Sequence, residues 1–267
     1  MSELRDHLAA RRATGRKLLV PYVMAGVPDP KRFADVLDAV SGGADAIEVG
    51  VPYSDPVMDG PVIASAGEAA LRAGVRPRAA LDAARAVPGA PPRVVMTYYN
   101  PVHAAGEDAF CRAAAARGIA GLVVPDLPVE ESASLRAAAA AYGLAWVPLV
   151  APTSSPARVE AIAGTATGFV YAVSTLGVTG ERARLSERAA AVVAACRRVT
   201  DLPVLVGIGV STPAHAVEAA STADGVVVGS AIVRVVRADG AAAARRFVDG
   251  LRGALDEAHG GLTGRLV

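Results

Sequence analysis

Two carboxylates, Glu48 and Asp59, belong to one stretch, Ala46-Ile-Glu-Val-Gly-Val-Pro-Tyr-Ser-Asp-Pro-Val-Met-Asp-Gly60. If Ala46 to Val51 is a strand, alternation sends Ile47, Val49 and Val51 to one face and Ala46, Glu48 and Gly50 to the other. An apolar face opposite a small-acid-small face puts the carboxylate in an enclosed space, where it needs a partner or a task. Pro52, Pro56 and the Asp59-Gly60 pair stiffen a loop able to fold Asp59 back over the strand end. Two readings stand side by side. In the structural one a neighbouring arginine satisfies Glu48 and Asp59 merely shapes a turn; in the chemical one the two acids share proton-transfer and charge-stabilising work.

Other chemistries lack their residues. The only lysines are Lys17, ahead of the first strand, and Lys31, at the start of a helix, so neither stands where a Schiff-base lysine or a pyridoxal phosphate anchor would. His7, His103, His215 and His259 are scattered without metal-ligand spacing, so no metal is expected. Cys111 and Cys196 are far apart in Ala/Arg-rich segments and read as reduced thiols. There is no Gly-x-Ser-x-Gly elbow and no Walker loop. Carboxylate acid–base catalysis remains, with Tyr171, inside a later strand, as a possible third member.

The elements that must hold these groups alternate. Strands are predicted at Leu18 to Met24, Ala46 to Val51, Arg93 to Tyr98, Gly121 to Pro125, Leu144 to Val150, Gly168 to Ser174, Val204 to Ile208 and Gly225 to Val228. Helices are predicted at Leu4 to Arg12, Arg32 to Ser41, 62–73 with 78–86, 107–117, 130–142, 156–163, 184–198, 212–220 and 240–257. Eight such units in 267 residues predict an α/β fold, a single (β/α)8 barrel over residues 1–267 with an extra N-terminal helix and a short helix after the eighth strand; an open doubly wound sheet is the alternative. Loops after the second strand (Pro52 to Pro61) and the sixth (Thr175 to Leu185) exceed the rest and mark the working face. Glycines close the last two strands, at Gly207-Ile-Gly209 and Gly229-Ser230, and the helix start at Ser230 adds unpaired N–H donors, a pattern suited to phosphate. A dinucleotide fingerprint fails because Thr212 stands where its third glycine belongs.

Composition excludes further classes. The chain is 52% hydrophobic with net charge +1, acids and bases interleaved, so neither nucleic acid nor an anionic membrane is an expected partner. No run approaches the roughly 18 apolar residues of a membrane span, and the first residues lack a signal-peptide pattern, so a cytoplasmic location is expected.

With these residues in view, the sequence resembles the tryptophan synthase alpha subunit family over nearly its whole length. The resemblance rests on Ile47 to Pro56 with Asp59-Gly-Pro61, Thr97-Tyr-Tyr-Asn-Pro101, Pro125-Asp-Leu-Pro-Val-Glu-Glu131, Tyr171 through Gly177-Val-Thr-Gly180, and the glycines at 207, 209 and 229. It implies cleavage of indole-3-glycerol phosphate to indole and glyceraldehyde 3-phosphate. Glu48 is then the general acid/base, Asp59 the hydrogen-bond partner of the indole N–H, and Tyr171 a neighbour of the reacting centre. Phosphate falls on Gly180, Gly209, Gly229 and Ser230, and the indole ring on Tyr22 and Ile208. The resemblance also implies a beta subunit in an alpha-beta-beta-alpha heterotetramer, met near Pro52, Asp55, Asn100 and Asp126, with pyridoxal phosphate in that partner only. Met24, Val27, Met58 and Ile208 depart from the family's usual Thr, Asp, Ala and Phe. A stand-alone lyase, and a weakly catalytic subunit that mainly activates its partner, are the alternatives.

Overall fold

Alternation along the second strand decides what the inside of the sheet contains. Ala46 packs in an inner cluster with Leu18, Val20, Val94, Val123, Val147 and Leu205, while Ile47, Val49 and Val51 join the outer cluster beneath the helices. Glu48 thereby faces inward, as the sequence predicts.

The computed structural model describes residues 2–173, 182–207 and 209–260. Its strands are β1 (Leu18–Met24), β2 (Ile47–Gly50), β3 (Arg93–Met96), β4 (Gly121–Val123), β5 (Ala145–Trp146), β6 (Leu149–Val150), β7 (Val170–Val173), β8 (Val204–Gly207) and β9 (Gly225–Val228). They pair in parallel in the order β5-β4-β3-β2-β1-β9-β8-β7-β6. The edge strands β5 and β6 are two halves of the stretch predicted as one strand. Pro148, which has no N–H to donate, interrupts it; Val147 N still donates to Leu122 O at 3.0 Å, and Pro148 O accepts from Tyr171 N at 3.0 Å. The sheet thus closes on itself through two residues, and the barrel stands over the open sheet.

The helices are α1 (Glu3–Ala13), α2 (Phe33–Ser41, after a 3-10 turn at Pro30–Arg32), α3 (Pro61–Arg72), α4 (Pro77–Ala83), α5 (Tyr99–Ala105), α6 (Glu107–Ala115), α7 (Ala133–Ala141), α8 (Pro156–Ala163), α9 (Arg182–Arg197), α10 (Pro213–Thr222) and α11 (Ser230–Gly260). Leu4 and Leu8 of α1 are fully buried in the inner cluster, each contributing roughly 1.5–3 kcal/mol of burial, so α1 stoppers the N-terminal end of the barrel. The catalytic end must be the other.

Three boundaries differ from expectation. Helix α5 lies in the stretch left unassigned between the predicted strand ending at Tyr98 and the predicted helix at 107–117. Pro101 is tolerated in the first turn of a helix, and Asp126, from the loop after β4, accepts from Tyr99 N at 2.9 Å. Helix α9 begins at Arg182, inside the predicted loop to Leu185. Helix α11 joins the short helix after the last strand to the predicted 240–257 helix, the two meeting at Gly240, whose φ of 76° only glycine adopts without strain.

Candidate active site

Glu48, the second residue of β2, is 2% exposed and in register with Tyr22 on β1 and Val94 on β3. The structural reading of a buried acid is realised three residues earlier, and not by Glu48. Asp45, 0% exposed, takes Arg16 Nε at 2.8 Å, Leu19 N at 2.9 Å and Arg252 Nη1 at 3.3 Å. Glu48 has no basic partner among the described residues, and its Oε2 is buried without a hydrogen bond. Desolvation, with Asp59 adding repulsion, raises its pKa to about 8.

The loop does turn back at Pro56, whose carbonyl accepts from Asp59 N at 3.3 Å, and Asp59 comes near enough to Glu48 for the two acids to repel. Burial raises Asp59 to about 6, against the hydroxyl of Tyr98, which favours its ionised form. The inside of the barrel thus holds two acids whose environments separate them: one neutral at neutral pH, the other ionised.

Tyr98 is the residue that sequence reasoning passed over. It is 2% exposed, stacks on Tyr53 of the acidic loop with ring centres 5.0 Å apart, and accepts from Met58 N at 2.9 Å. One ring therefore holds the loop that carries Asp59. The signal was present in the motif Thr97-Tyr-Tyr-Asn-Pro101, where Tyr98 was given no role of its own.

Two further tyrosines line the space. Tyr22 leans along β2 over Gly50, where a Cβ would lie 2.6 Å from its Cζ, and Tyr171 leans over Gly207 of β8 in the same way, also at 2.6 Å. Each glycine is required by the ring above it. Both hydroxyls are pushed well above the ordinary tyrosine pKa, mainly by burial and then by the two acids. Among the described residues Tyr22 Oη has no hydrogen-bond partner.

At the ends of β8 and β9, Gly209 is exposed and Gly229 and Ser230 are half-buried. A Cβ on Gly229 would meet Ile63 at 3.5 Å and Tyr22 at 3.6 Å, ordinary contacts, so packing does not demand a glycine there. Ser230 opens α11, whose first N–H groups have no intrahelical acceptor. Gly180, Ile208 and the 175–181 part of the second long loop lie outside the described residues.

The residues read as a partner surface share this end. Asp55 and Asn100 are exposed, Pro52 is buried, and Asp126 is engaged at the start of α5. Val57 and Met58, at 79% and 57% exposure, add apolar surface beside them. Among the described residues no three His, Cys, Asp or Glu converge as a metal-binding set, and no helix is long and apolar enough to cross a membrane.

Comparison with known proteins converges on one family. The family model described as Tryptophan synthase alpha chain matches residues 8–254. The tryptophan synthase alpha chain of Streptomyces avermitilis is 48% identical over 236 residues, covering 87% of this chain and 85% of that one. Its counterpart from Mycobacterium tuberculosis is 50% identical over 224 residues, 83% of each. A crystal structure of M. tuberculosis tryptophan synthase in its aminoacrylate-bound form superposes with a TM-score of 0.86 at 40% identity, covering 96% of this chain and all of that one.

Proposed function

The chain belongs to the tryptophan synthase alpha chain family, and from that premise we propose that Glu48 and Asp59 carry the family's alpha reaction. This is the lyase cleavage of indole-3-glycerol phosphate to indole and glyceraldehyde 3-phosphate, in tryptophan biosynthesis. The observation that supports the assignment is Glu48 itself: buried, without a counter-ion among the described residues, raised to about 8 and repelled by a second acid.

At neutral pH Glu48 is protonated and Asp59 ionised. Glu48 gives its proton to indole C3, and positive charge spreads to the ring nitrogen, where the Asp59 carboxylate offsets it. The bond from C3 to the glycerol carbon then breaks, its electron pair restoring the aromatic ring. The hydroxyl on that carbon becomes the aldehyde, and its proton goes to the Glu48 carboxylate, which returns to its starting state. Tyr171 stands beside the reacting carbon, Tyr22 and Ile208 take the indole ring, and Tyr98 positions Asp59. The phosphate rests on Gly180, Gly209, Gly229 and Ser230. No cofactor takes part from this chain.

The partner we propose is a beta subunit, in an alpha-beta-beta-alpha heterotetramer, carrying pyridoxal phosphate and docking on the open end of the barrel near Pro52, Asp55, Asn100 and Asp126, with Val57 and Met58 between them.

Single-turnover release of indole tests the core of this reading. Glu48→Gln should slow it by roughly 10²-fold to 10⁴-fold while substrate binding is largely kept. Near-normal turnover would remove Glu48 from the mechanism.

A further inference from the structure

The layer between a barrel and its surrounding helices is apolar, yet Arg93, the first residue of β3, points into it. Its register partner is the outward-facing Ile47, and it is 5% exposed. Arginine is almost never buried this deeply without a counter-charge, because its lost hydration must be replaced. Arg93 Nη1 donates to the carbonyl of Arg85, just beyond the C-terminus of α4. That acceptor is neutral, and Nε is buried with no acceptor among the described residues.

Arg93 lines a cavity of about 640 Å³ between α2, α4 and the 87–91 loop, a size suited to a small organic ligand. Two acids line the same cavity, and both are committed elsewhere. Asp38 pairs with Arg245 at 2.7 Å, and Asp82 with Arg117 at 2.7 Å and Arg85 at 3.7 Å. Among the described residues no carboxylate answers Arg93. Leu37, Pro88 and Pro91 supply apolar wall, as does Val87, 54% exposed for no reason in the fold.

We propose that this cavity binds a small organic monoanion, with its carboxylate seated on the Arg93 guanidinium and its apolar body against Leu37, Val87, Pro88 and Pro91. A planar carboxylate matches the guanidinium fork. The other two arginines that line the cavity, Arg85 and Arg245, are already paired with Asp82 and Asp38, so Arg93 is left to neutralise a single charge. Arg93 neighbours Val94, the register partner of Glu48, but points to the opposite, outer face of the sheet, so the site stands or falls separately from the lyase assignment.

Benzoate is the probe, titrated calorimetrically into the full chain with the phosphate-binding loops kept occupied by saturating glycerol 3-phosphate. The expected result is one benzoate per chain, with binding weakened about tenfold or more both for neutral benzamide and in Arg93→Met, whose indole release should match the parent chain. Equal affinity in parent and variant, equal affinity for benzamide, or no binding up to about 10 mM would overturn the proposal. If Arg93→Met does not fold, Val87→Asp on the exposed rim answers the same question: a repelling carboxylate there should weaken benzoate about tenfold, and unchanged affinity counts against the site.

Discussion

A carboxyl raised to about 8 and another to about 6 define a window in which Glu48 holds its proton and Asp59 has lost its own. Turnover should therefore trace a bell, falling below about pH 6 as Asp59 is protonated and above about pH 8 as Glu48 ionises; the limbs belong to the pair, since each acid feels the other. Tyr98→Phe removes a hydroxyl that favours ionised Asp59, so the acid limb should move to higher pH and the bell narrow. A kcat profile checks this, and a uniform drop with unmoved limbs would reduce Tyr98 to a packing residue. Stability carries the opposite sign from the usual carboxylate. Glu48 is raised above its ordinary 4.5, so it costs the fold nothing below pH 4.5, and progressively more as pH rises toward 8. Glu48→Gln should match the parent chain near pH 4 and exceed it above pH 8, by at most about 5 kcal/mol. Urea unfolding at both pH values reads the difference, and equal stability at high pH would mean that the acid is not desolvated.

At the scale of the elements, the site is made by strands that lend each other room. Tyr22 on β1 occupies the space above Gly50 of β2, and Tyr171 on β7 the space above Gly207 of β8. Gly207→Ala should cost roughly 1–3 kcal/mol through overpacking and should recover most of that loss when combined with Tyr171→Ala; additive losses in urea unfolding would show that the contact is not the cause. This coupling was not legible beforehand, because it depends on register between strands far apart in sequence. What could be read was local. Ala46 to Val51 announced its two faces by alternation, and the glycines after the last two strands announced turns. Glu48 was found because an acid interrupts an otherwise small and apolar face. Tyr98 was not, since its role exists only once the loop after β2 returns to it. The helix at Tyr99–Ala105 was likewise decided by a tertiary partner, the Asp126 carboxylate.

For the molecule as a whole, α1 stoppers one end of the barrel with Leu4 and Leu8, so access to Glu48 is from the end that carries the loop after β2. The same loop presents Val57 and Met58, at 79% and 57% exposure, between the residues proposed to meet a beta subunit. Apolar side chains displayed this openly on a functional rim fit burial by a partner, and removing such surface from water is worth about 25 cal/mol per Å². A charge placed at Val57 should oppose docking without reaching the chemistry, since that side chain is largely in solvent. Val57→Asp should therefore weaken binding to a beta subunit by about tenfold or more, through the cost of desolvating an unpaired carboxylate, while single-turnover cleavage of indole-3-glycerol phosphate by the isolated chain stays within about twofold of the parent. Measuring both separates the outcomes. Undiminished complex formation would move the interface off this rim. A matching fall in isolated turnover would instead mean that Val57 supports the Asp59 loop, and that the apolar patch belongs to the active site and not to the partner.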